Sequence, residues 1–135
     1  MENAVALASG VDITDAHYPG RDPIDYYGNG GFRFSNMSHR GALLVIPSGI
    51  HRWDVDDWTR LDPESFSKIF AEKDDIEILL IGTGNDPLPL DPSIADALRK
   101  AEISFDIMTT GAAVRTLNIL LSEDRAVAAA LLPVA

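Results

Sequence analysis

Two short stretches carry the residue types that could hold a charged ligand: Gly82-Thr83-Gly84 and Thr109-Thr110-Gly111, the second followed by Arg115 and Asn118. Glycine lets a ligand approach the main chain closely. A helix starting near Gly111 would present unpaired N–H groups and the positive pole of its macrodipole. Thr109 or Thr110 can cap that helix, and Arg115, one turn in, supplies a planar fork of donors. Gly111, Arg115, Asn118 and Ser122 follow one another at spacings of four, three and four, which puts them on one stripe. This grouping would suit a carboxylate or a phosphate, and so a small anionic ligand. The same residues also serve as strand-to-helix punctuation and a solvated stripe, the commoner role of such short motifs. The Gly82 stretch lacks both the full GxGxxG pattern and a following Gly-Lys-Ser/Thr, and Pro87 and Pro89 stiffen it. It is not a nucleotide fingerprint.

Other reactive side chains form no familiar constellation. His17, His39 and His51 have no second ligand at a zinc spacing. His51 shares a strand face with Trp53 and could act as a general base or gate, or be a half-buried strand residue. Ser48 precedes a glycine, but Gly-x-Ser-x-Gly is absent. Asp54, Asp56 and Asp57 lack the EF-hand spacing and read as a solvated loop. Asp86 is a weak candidate base. The chain has no cysteine, which removes disulfides, thiolate metal sites and thiol catalysis. No catalytic residue, metal or cofactor is assigned from these patterns.

The elements that must position these residues follow from local pattern. Residues 1–23 lack sustained periodicity and read as a flexible arm, leaving 24–135 as one domain. Gly28-Asn29-Gly30-Gly31 between Ile24–Tyr27 and Phe32-Arg33-Phe34 is a β-hairpin signal. Ala42 to Ile46 reads as a buried strand, and Ile50 to Val55 alternates as another. Asp62-Pro63 and Asp91-Pro92 each place a capping carboxylate before a proline at the first helical position. Leu61 and Phe66 have the spacing of a hydrophobic staple. Strands are expected at Ile76–Ile81, Ile103–Met108 and Val127–Leu132, with a helix over Gly111–Ser122 whose apolar face is Val114, Leu117 and Leu121. The strand–helix–strand unit from Ile76 to Met108 should be a right-handed crossover. Its two strands are then parallel, and the turns after them open at the same end of a layered α/β sheet.

Composition narrows the function classes. The chain has 135 residues and a net charge of −10, from 11 basic and 21 acidic side chains. Nucleic-acid affinity rests on Lys and Arg neutralising phosphates, so nucleic acid and anionic membranes are set aside. No apolar run reaches the ~20 residues of a membrane helix. Ala4 to Ala8 is too short for a signal-peptide core, and Glu2 stands where positive charge would be expected. A cytoplasmic protein is expected, either monomer or homodimer.

Several stretches carry a family resemblance. They are Tyr27 to Arg33, Gly41 with the strand after it, Trp53, Gly82-Thr83-Gly84, Met108 through Leu120, and Arg125 through Pro133. Together they resemble the Mth-domain family, small bacterial and archaeal proteins of unknown function. Its eukaryotic relatives include a mitochondrial assembly factor for respiratory complex I and an adipogenesis-associated protein. The resemblance covers Ile24 to Pro133 and is most specific from Thr109 onward. It implies a three-layer β+α/β single domain with a mixed central sheet, an N-terminal hairpin region and about three helices. Relatives often carry Cys at the position of Val114 and Tyr at that of Leu117, so a thiol mechanism cannot apply here. The resemblance implies an interaction or assembly protein with an unidentified protein partner, whose contact surface could include Tyr26, Tyr27 and Phe32. Packing of those aromatics on the chain's own core is the competing expectation. The functional alternative is an anion-binding protein or enzyme at the Gly82 and Gly111 turns.

Overall fold

The computed structural model describes residues 17–135. Asn29 and Gly30 both adopt positive φ, at 52° and 81°, which is the two-residue turn whose twist matches a hairpin. They join β1 (Tyr26–Gly28) to β2 (Gly31–Phe34). Ser35 and Asn36, at φ 47° and 61°, make a second turn of the same kind into β3 (Met37–Arg40). That strand was not expected: Met-Ser-His-Arg has little intrinsic β preference, and pairing with β2 supplies the order. The result is a three-stranded antiparallel sheet.

The main sheet has five strands in the order β5-β4-β8-β6-β7, from β4 (Leu43–Ile46), β5 (Gly49–Arg52), β6 (Ile78–Gly82), β7 (Ser104–Met108) and β8 (Val127–Leu131). Strand β4 is antiparallel to both neighbours, whereas β6 is parallel to β7 and to β8, so the sheet is mixed. The strand expected over Ile50–Val55 stops at Arg52, where its partner β4 runs out at Leu43.

The helices begin where their caps direct. Asp62 accepts from the Ser65 amide and Ser65 reciprocates, a capping box that starts a 3-10 turn at Pro63–Phe66 before α1 (Ser67–Ala71). Asp91 caps α2 (Pro92–Lys100), and Thr109 caps α3 (Thr110–Ser122).

Alternation in the main sheet divides the core in two. One face meets α1 and α2 through Leu44, Ile46, Leu79, Ile81, Phe66 and Leu98. The other meets α3 and the three-stranded sheet through Val45, Leu80, Ala129, Val114, Leu117 and Phe34. This is a single three-layer α/β domain. The arm expected over residues 1–23, and the reading of Ala4 to Ala8, lie outside the described residues as far as residue 16. From His17 the chain lies against the domain. Tyr18 exchanges backbone hydrogen bonds with Ile50 at 2.8 and 2.9 Å, and Arg21 donates to the Val127 carbonyl.

Candidate functional site

The parallel pairing of β6 with β7 sets Gly82 beside Met108, so the turns after both strands leave the sheet together. They are laced to each other. The Thr83 amide donates to the Met108 carbonyl, and the Thr110 amide to the Gly84 carbonyl, each at 2.9 Å. The Thr110 hydroxyl accepts from the Gly84 amide at 2.9 Å and donates to the Leu132 carbonyl at 2.7 Å. The Thr83 hydroxyl donates to the Asp86 carbonyl, with the Met108 carbonyl 3.2 Å away. Gly82, Thr83, Gly84 and Thr110 are buried. The hydroxyls expected to face a ligand thus satisfy main-chain groups at the ends of β6, β7 and β8, where unpaired amides would be costly.

The start of α3 is occupied in the same way. Thr109 accepts from the Ala112 amide at 3.4 Å. A Cβ on Gly111 would lie 2.5 Å from the Tyr27 hydroxyl oxygen, so it is the tyrosine that approaches the helix backbone there. Asn118 grips Ile24, accepting from its amide at 3.0 Å and donating to its carbonyl at 2.9 Å. Gly111 and Asn118 therefore face the three-stranded sheet. The Arg115 side chain is exposed and makes no hydrogen bond or ion pair with any described residue.

A second polar cluster brings together residues far apart in sequence. Ser48 donates its hydroxyl to Glu72 Oε2 at 2.6 Å and its amide to Oε1 at 2.8 Å. His51 Nε2 lies 2.8 Å from the same hydroxyl, and the His17 ring stacks on His51 with centroids 4.3 Å apart. Burial, reinforced by the charges of His17 and Lys68 and opposed by Glu72, lowers the His51 pKa to about 4. The imidazole is neutral at pH 7, and the hydroxyl and amide of Ser48 are both hydrogen-bonded to the Glu72 carboxylate. The cluster clamps the β4–β5 turn onto α1. No sequence signal announces Glu72 as the partner of Ser48, 24 residues away.

The remaining candidates have structural partners. His39 is buried and contacts the Ala42 carbonyl at 3.0 Å. Asp54 pairs with Arg52 at 3.0 Å. Asp57 accepts from the amide and hydroxyl of Thr59, which hold its carboxyl below the usual range. Of the three hairpin aromatics, Phe32 is buried, Tyr27 packs against the core and Tyr26 is 48% exposed. Among the described residues no helix is long and apolar enough to cross a membrane.

Comparison with known proteins agrees with this architecture. The mouse protein named NADH dehydrogenase [ubiquinone] 1 alpha subcomplex assembly factor 3 is 30% identical over 123 residues, covering 91% of this chain and 66% of the mouse protein. The chain thus spans a little under two thirds of that relative's length. A crystal structure described as an outer membrane protein from Bartonella henselae superposes with a TM-score of 0.79 at 53% identity, covering 88% of this chain and all of that one. A Bordetella pertussis structure described as a Mth938-like domain gives a TM-score of 0.72 at 25% identity over 83% of this chain and 85% of its own. Residues 24–132 match the model of a family described as protein of unknown function (DUF498/DUF598). The Mth-type resemblance read over Ile24 to Pro133 holds, and the chain belongs to the DUF498/DUF598 family.

Proposed function

We propose that this chain is a non-catalytic cytoplasmic interaction protein that helps assemble a respiratory NADH dehydrogenase through contacts with a protein partner. The observation that carries the proposal is the match to the mouse assembly factor over 91% of the chain. What the two share is therefore the packed body described above, rather than a short motif. The site geometry is compatible with a binding role. The threonine hydroxyls at the turns are committed to main-chain groups, and the Ser48 hydroxyl donates a hydrogen bond to Glu72.

An anion at the Gly82 and Gly111 turns is the second reading. Arg115, exposed and unpaired among the described residues, is the observation in its favour. It is the weaker reading because the neighbouring donors already have acceptors and Tyr27 lies over Gly111.

Deletion of the gene from its source cell tests the assembly role. Native gels of the membranes should lose fully assembled NADH dehydrogenase, and NADH-dependent quinone reduction should fall with it. Both should return when the intact chain is supplied. Normal complex levels in the deletion strain would overturn the proposal.

A further inference from the structure

The outer face of the three-stranded sheet carries a cup of about 360 Å³, lined in part by Tyr26, Gly28, Gly31, Arg33 and Arg40. Strand alternation builds it. Phe32, Phe34 and Met37 turn inward to the core, so Tyr26, Arg33 and Arg40 turn outward. Tyr26 is paired across the strands with Arg33, Gly28 with Gly31, and Gly31 with Arg40. The Tyr26 side chain folds over Gly28, where a Cβ would stand 2.8 Å from its hydroxyl oxygen, and a Cβ on Gly31 would collide with the His39 carbonyl oxygen, so only glycine fits at either position.

The described side chains around the cup offer donors with few acceptors. The Arg33 side chain makes no hydrogen bond or ion pair with any described residue, which leaves the donors of its guanidinium uncommitted. Arg40 spends one on the Asn29 carbonyl, at 3.5 Å. The Tyr26 hydroxyl accepts from Asn29 Nδ2 at 3.2 Å, and its own proton has no acceptor among the described residues. Among the described residues no Asp or Glu lines the cup, although the chain has 21 of them. Arg52, Arg99 and Arg125, by contrast, each lie on a carboxylate. The cup is therefore a local spot of positive potential on a chain of net charge −10. That overall charge repels a polyanion but still admits a small anion to the spot.

We propose that this cup binds the oxyanion group of a small organic acid or phosphate ester. Arg33 and Arg40 grip its oxygens from two strands and Tyr26 donates a third hydrogen bond. Paired guanidiniums match the planar geometry of a carboxylate and the edges of a phosphate, which a lysine pair would not. The site is separate from the turns at Gly82 and Gly111 and does not depend on the assembly role.

The test titrates the full ¹⁵N-labelled chain with citrate and with inorganic phosphate at low ionic strength, reading amide shifts and heats of binding. Saturable shifts are expected at Gly28–Arg33 and Ser38–Arg40. Arg33→Gln and Arg40→Gln should each weaken binding about ten-fold or more, and Tyr26→Phe roughly three-fold, since charge-assisted bonds exceed neutral ones. Arg115→Gln should change nothing. These residues are exposed, so unaltered shifts elsewhere in the spectrum will show that the variants fold. Shifts that never saturate, that map to Arg115 and Gly111, or that survive both arginine substitutions would overturn the proposal. Binding of an acidic peptide but of neither free anion would overturn the small-molecule source.

Discussion

Thr110 shows how one hydroxyl can close a fold rather than serve a ligand. It is fully buried, accepts from the Gly84 amide and donates to the Leu132 carbonyl, so it ties β6 to the end of β8. Thr110→Val keeps the shape and removes both bonds, leaving a buried donor and a buried acceptor unpaired. The expected loss is about 3 kcal/mol in urea unfolding, with Thr110→Ser retaining most of the stability. A loss under about 0.5 kcal/mol would show that the hydroxyl is dispensable. His51 carries a second prediction at this scale. Burial, with help from the neighbouring cations, holds its pKa near 4 against an ordinary 6.5. The folded state binds this proton more weakly than the unfolded chain does. The associated stability is present in full above pH 6.5 and is lost as the pH falls from there through 4. A proton NMR titration should find the His51 midpoint near 4, moving upward in His17→Ala, whose ring stacks on it. A midpoint at the ordinary value would contradict the account.

Secondary elements were legible where their determinants are local and obscure where they are not. Asp62-Pro63 and Asp91-Pro92 announce their helices because cap and first turn lie within four residues of each other. The hairpin at Asn29-Gly30 is equally local, and the shared end of β6 and β7 follows from the handedness of the crossover. Strand β3 was not legible, since its order comes from pairing with β2. Nor were the partners of the candidate site. Thr110 finds Leu132 at a separation of 22 residues, and Asn118 finds Ile24 at 94. A stripe at helical spacing states which residues share a face but not what covers it. Here the cover is the main chain at Ile24, just before β1, and it turns a presumed ligand contact into a strut between α3 and the smaller sheet. Asn118→Ala leaves the buried Ile24 without either partner and should cost about 2–3 kcal/mol. Hydrogen exchange should accelerate at Ile24 and along β1 well before it does in β6 or β8. Uniform exchange across both sheets would mean that Asn118 is not what holds the hairpin down.

At the scale of the whole molecule, α3 lies between the two sheets, and one tight point of contact is Gly111 against Tyr27. The tyrosine reaches from β1 over the first turn of α3, with its hydroxyl oxygen 2.5 Å and its Cζ 3.2 Å from where a Cβ would stand. Gly111 has ordinary helical φ, so the glycine is needed for space and not for backbone conformation. Alanine there would gain helix propensity of about 1 kcal/mol, and an isolated helix would be stabilised by it. In the domain the methyl must push the phenol outward, and Tyr27 is packed into the core that α3 shares with the smaller sheet. Displacing a packed ring costs about 1–3 kcal/mol, so the clash should win and Gly111→Ala should be destabilising. Tyr27→Phe removes the nearest atom and leaves a ring carbon at a distance a small shift can absorb. The double variant should therefore be more stable than the two single losses predict, with a coupling of about 1 kcal/mol in a urea-unfolding cycle. Losses that add to within about 0.3 kcal/mol would mean that the layers do not meet through this pair. The sheet carrying Arg33 and Arg40 would then be held to the domain by the burial of Phe32, Phe34 and Met37, by Asn118 and by the Gly30 amide on the Val134 carbonyl.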